Sequence, residues 1–72
     1  MINVMKLKGK ITEKDMNVES LAQKIGINKS TLYRKLNGGG EEITIGEATM
    51  ISKELSLSAE EVTAIFFTSV VA

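Results

Sequence analysis

Four residues in one short stretch, Lys29, Ser30, Tyr33 and Arg34, carry side chains of the kind that read base edges in duplex DNA. Lysine and arginine donate to guanine O6 and N7, a serine hydroxyl serves a base edge or a phosphate, and a good bidentate pair gives about 1–3 kcal/mol of discrimination. Tyr33 offers a hydroxyl on a flat apolar body, which lies across its neighbours as readily as against a base. Asn17, Lys24, Asn28, Lys35 and Asn37 surround this group. Their amides and ammonium groups suit phosphate oxygens, contacts that set register and give salt-dependent affinity without carrying sequence information.

Other chemistry has little to build on. Cysteine and histidine are absent, so only carboxylates remain as metal ligands, and no nucleophile has a plausible neighbouring base. The triple glycine at 38–40 lacks the Gly-Lys-Ser or Gly-Lys-Thr of a phosphate loop and reads as a flexible connection. Asn28-Lys29-Ser30 matches a glycosylation acceptor, but at a helix start in a chain with no secretory signal the match is accidental. The expectation is a protein that is not an enzyme, with no cofactor and no small-molecule ligand.

The reading residues share a surface only if their segment is helical. At 100° per residue, Leu32 and Leu36 fall within about 40° of each other and face a core, while Ser30, Arg34 and Asn37 fall roughly opposite, flanked by Lys29 and Tyr33. This helix runs from Lys29 to about Asn37 with Asn28 as its cap. Before it, Asn17 caps a helix from Val18 to Ile25 that buries Leu21, Ala22 and Ile25. Gly26 supplies the left-handed closure and Ile27 an apolar anchor. A turn of only three residues, Gly26 to Asn28, forces a sharp angle and presents the second helix of the pair on the surface.

Upstream, Val4, Leu7 and Ile11 mark a first helix, roughly Asn3 to Lys14. Downstream, Thr44 with Glu47 forms a capping box for a fourth helix from Ile45 to near Leu55, whose stripe is Ala48, Ile51 and Leu55. Ser58 with Glu61 repeats the device for a fifth helix carrying Val62, Ile65 and Phe66. The predicted fold is all-α: one domain over residues 1–72, a compact bundle of about five short helices with a helix-turn-helix at helices 2 and 3.

The run VESLAQKIGINKSTLYRKLNG resembles the helix-turn-helix of the Cro/CI, lambda-repressor-like family. Ala22 takes the small position where the two helices touch, Gly26 the turn, and Leu21, Ile25, Ile27 and Leu32 the buried positions. Asn37-Gly38 is similar to the Asn-Gly that closes this family's recognition helix. The resemblance implies a five-helix DNA-binding domain acting as a transcriptional regulator, a phage-type or prophage repressor or Cro-like protein. Two positions depart from the family pattern. Val18 stands where a backbone-contacting glutamine is common, and Lys35 where an apolar residue usually packs, so Leu36 and the aliphatic stem of Lys35 share that role.

Charge is also divided along the chain. Residues 1–40 carry eight lysines and arginines against three acids, a net +5, and residues 41–72 carry Lys53 against six glutamates, a net −5. One end thus suits a polyanion and the other solvent or a partner. A chain of 72 residues buries only a thin core, about 60% of its unfolded surface, and looks to packing, capping or a partner subunit for stability. Met1 to Lys10 mixes apolar residues with three lysines and lacks the apolar stretch of a signal peptide, so a reducing cytoplasm is expected.

From Val62 to Ala72 no residue is charged. Eleven residues are too few to cross a bilayer, which takes about 20. Ile65, Phe66, Phe67, Val70 and Val71 exceed what one face of a short helix can bury, and the surplus predicts a homodimer interface. A twofold dimer would set two recognition helices about 34–36 Å apart, matching a palindromic operator. A different reading of the same tail is a protein-interaction module, such as an antirepressor or antitoxin-like adaptor.

Overall fold

The computed structural model describes residues 2–67. It contains five α-helices: α1 (Val4–Glu13), α2 (Val18–Ile25), α3 (Lys29–Asn37), α4 (Ile45–Glu54) and α5 (Ala59–Phe66). Among the described residues there is no strand, and none of these helices is long and apolar enough to cross a membrane.

Each helix starts where a polar side chain accepts one of its first backbone N–H groups, which lack partners within the helix. Asn3 accepts from Lys6 N at 3.0 Å and Asn28 from Ser30 N at 2.8 Å. Thr44 with Glu47 and Ser58 with Glu61 close the reciprocal boxes expected for them. Asn17 and Ser20 form a third such box, in which serine takes the place of the usual glutamate.

Four helix ends close in one way. A residue with left-handed backbone is followed by an N–H that reaches back five residues: Met16 to Ile11 O, Ile27 to Ala22 O, Gly40 to Lys35 O and Leu57 to Ser52 O. The left-handed residues are Asp15, Gly26, Gly39 and Ser56. This is the Schellman closure, and after three of the turns an apolar residue (Met16, Ile27 or Leu57) packs against the core. The triple glycine is therefore not the flexible connection expected. It is a closed turn in which Gly39 and Gly40 hold φ of +84° and +79° and Gly40 is buried against Ile2.

The core is formed by Leu7, Ile11, Leu21, Ala22, Ile25, Leu32, Leu36, Ile51, Leu55, Ile65 and Phe66. All five helices contribute, with α2 central between α1, α3 and α4. Asn3 N donates to Ile65 O at 2.7 Å, joining the start of α1 to the end of α5.

This packing narrows the expected dimer surface. Ile65 is fully buried and Phe66 nearly so, because one face of α5 is needed to close the monomer's own core, and neither is available to a partner. Phe67 is 45% exposed. Val70 and Val71 lie outside the described residues.

Candidate nucleic-acid interface

The turn between α2 and α3 sets up the candidate surface. Gly26, at φ +80°, lets α2 stop abruptly, Ile27 packs against the core, and Asn28 restarts the chain as α3. Leu32 and Leu36 are buried. Lys29, Ser30, Tyr33, Arg34 and Asn37 are all exposed, so the outward face of α3 is polar along its length.

Two of these cations already have carboxylate neighbours. Arg34 Nη1 donates to Glu42 Oε1 at 2.8 Å, and Lys29 Nζ to Glu19 Oε2 at 3.3 Å, all four side chains being more than half exposed. Pairs this open are readily exchanged for another anion. Lys24, on α2, is exposed. Asn17 and Asn28 sit at the starts of α2 and α3, but the Oδ1 of each is occupied by its own helix, leaving the amide NH2 groups to face outward chemistry.

Lys35 differs from the expectation of a phosphate contact. Its Nζ donates to both carboxylate oxygens of Glu47 at 2.8 Å, and the two side chains are only 13% and 18% exposed. The stem packs as expected of a residue at an apolar position, while the ammonium is committed to α4. Burial disfavours the charge on Glu47, yet hydrogen bonds from Lys35 and the Thr44 N–H outweigh it and hold the carboxyl below its ordinary pKa.

Glu61 is built in parallel. It caps α5 through the Ser58 N–H and pairs with Lys10 of α1. The Lys10 hydrogen bond, helped by Ser58, pulls its pKa to about 2 against a smaller burial effect, and Lys10 is correspondingly raised.

The structure also brings in residues that sequence reasoning missed. Lys8 and Thr12, four apart on one side of α1, line an open cleft of about 300 Å³ together with Asn17, Val18 and Tyr33. That cleft adjoins the α3 face and adds an ammonium and a hydroxyl at its edge. The i, i+4 spacing was the available signal, although nothing local showed that α1 would lie beside Tyr33. Val18, at the position of the family's backbone-contacting glutamine, is half-buried against the core.

The sequence profile of the Cro/C1-type HTH DNA-binding domain matches residues 6–65, which takes in all of the helix-turn-helix and nearly all of the five-helix bundle. No curated relative and no solved structure matches the chain. With the match spanning most of its length and the helices in place, the chain belongs to the Cro/C1-type helix-turn-helix family of DNA-binding domains.

Proposed function

We propose that this protein is a sequence-specific transcriptional regulator, a phage-type repressor or Cro-like protein, that occupies a palindromic operator as a homodimer. The observation that carries the reading is the two-sidedness of α3: Leu32 and Leu36 are buried, while Lys29, Ser30, Tyr33, Arg34 and Asn37 are exposed on a helix behind a three-residue turn. In this reading α3 enters the major groove. Lys29, Ser30, Tyr33 and Arg34 meet base edges, and Asn17, Lys24, Asn28 and Asn37 meet phosphates. Binding requires no cofactor, and the site of action is the cytoplasm.

The dimer is supported by apolar surface where the starts of α1 and α4 meet the end of α5. Ile45, 84% exposed, and Phe67, 45% exposed, flank an open groove of about 320 Å³ lined also by Ile2, Ala48, Val62 and Phe66. The same groove, lined by Val62, Phe66 and Phe67, favours the second reading, a protein-interaction module such as an antirepressor or antitoxin-like adaptor that uses the apolar C-terminal helix as its contact.

Selection from a random duplex library at near-physiological salt tests the proposal. Enrichment of a short palindrome, bound far more tightly than a scrambled duplex, is expected of a dimeric regulator. Recovery of no sequence, with only weak salt-screened binding, would instead support the interaction module.

A further inference from the structure

Lys35 occupies the recognition helix without facing outward as its neighbours do. Within α3, the other two paired cations, Lys29 and Arg34, hold their carboxylates across open solvent, whereas Lys35 and Glu47 are 13% and 18% exposed. Glu47 is not free to follow Lys35. Its Oε1 accepts the Thr44 N–H at 3.0 Å while its own N–H donates to Thr44 Oγ1 at 3.0 Å, and Ile51 and Leu55 fix the rest of that chain segment in the core. Lys35 is held at its backbone too, its carbonyl accepting from Gly40 N at 2.9 Å.

The mechanical need for such a link follows from how α3 is packed. Its principal helix neighbour is α2, and its buried side chains, Leu32 and Leu36, form one stripe. Apolar contact along a single stripe is non-directional and leaves rotation about the helix axis weakly specified. A turn of about 10° moves a side-chain tip about 6 Å from the axis by about 1 Å, more than a base-edge hydrogen bond tolerates. Lys35 precedes Leu36 around the helix by about 100° and ends on a carboxylate fixed in another element, which is where a second constraint would stop that rotation.

We propose that Lys35 and Glu47 are positioning residues, their ion pair setting the rotation of α3 so that discrimination between DNA sequences depends on a carboxylate in α4. This rests on the reading of α3 as the base-reading helix. Lys35 is on this account not a phosphate ligand, because binding a phosphate would strip a shielded Glu47 of its partner.

The test compares the wild-type protein with Lys35→Met, which keeps the stem, and Glu47→Gln, which keeps a capping acceptor. Each is titrated with the selected duplex and its scrambled version over a range of salt, after a thermal melt has shown it folded. Both variants are expected to lose about tenfold in the selected-to-scrambled affinity ratio, with the Lys35→Met salt slope unchanged. A Lys35→Met slope shallower by about 0.9 with the ratio intact would make Lys35 a phosphate ligand and overturn the proposal. A retained ratio with only a lower melting temperature would reduce the pair to a structural role and overturn it equally. If Lys35→Met does not fold, the ratio measured for Glu47→Gln decides. Failure of the wild type to discriminate would overturn the DNA-reading function itself, an outcome separate from the other two.

Discussion

Arg34 and Glu42 face each other at 2.8 Å on the outer surface, with side chains 64% and 66% exposed. For Arg34 to reach a base edge or phosphate it must leave this carboxylate, which then lies close to the negative backbone of the duplex. An exposed pair of this kind is worth about 0.2–1 kcal/mol. Glu42→Gln is therefore expected to tighten binding to the selected duplex by about 1.4- to 5-fold and to steepen its salt dependence. Titrations at several salt concentrations measure both, and weaker binding by the variant would show that Glu42 itself contributes to the contact.

Acid should loosen the bundle through Glu61. Its carboxyl is held at about 2 in the fold against an ordinary 4.5, so the folded state favours the charged form. A depressed pKa contributes stability that is present above 4.5 and is lost as pH falls toward about 2. Glu47, also lowered, acts in the same direction. Glu61→Gln keeps an acceptor for the Ser58 cap but has no charge to protonate. Its melting temperature should be lower than wild type at neutral pH and should fall less steeply in that acid window. Parallel curves for the two proteins would argue against the Lys10–Glu61 pair as the origin of the acid sensitivity.

Gly26 and Gly40 separate two reasons for glycine. Both have positive φ, but a Cβ at Gly26 would meet nothing within 4 Å, whereas one at Gly40 would overlap Ile2. Gly26→Ala should cost about 1 kcal/mol, the conformational penalty alone. Gly40→Ala adds overpacking, which typically costs about 1–3 kcal/mol more. Urea denaturation gives both values, and equal losses would show that Ile2 moves aside freely.

These glycines also mark what the sequence could and could not reveal. The bounds of α2 and α3 were legible because Asn17, Asn28 and Gly26 act within a few residues of themselves, as do the boxes at Thr44 and Ser58. Glycine is equally suited to a mobile linker and to a Schellman closure. What makes 38–40 the latter is the pair of carbonyls at Lys35 and Leu36, together with Ile2 arriving from the other end of the chain. Packing of the Lys35 stem was legible from its position, but the destination of its ammonium was not, because Glu47 is twelve residues away and meets it only once α3 and α4 are folded. The surplus of apolar residues in the tail was visible, but its division was not. Ile65 and Phe66 go to the core through contacts with other helices, leaving Phe67 outside.

The central claim, that α3 reads sequence while Lys24 on α2 binds the backbone, is tested most directly by Arg34→Ala and Lys24→Ala on matched duplexes. Affinities are measured for the selected site, for sites with single base changes and for a scrambled sequence. Arg34→Ala should cost about 1–3 kcal/mol on the selected site and relax the preference at one base position, whereas Lys24→Ala should weaken every duplex alike and reduce the salt slope by about one. Equal losses on all sequences for both variants would contradict the assignment of α3 as the base-reading element.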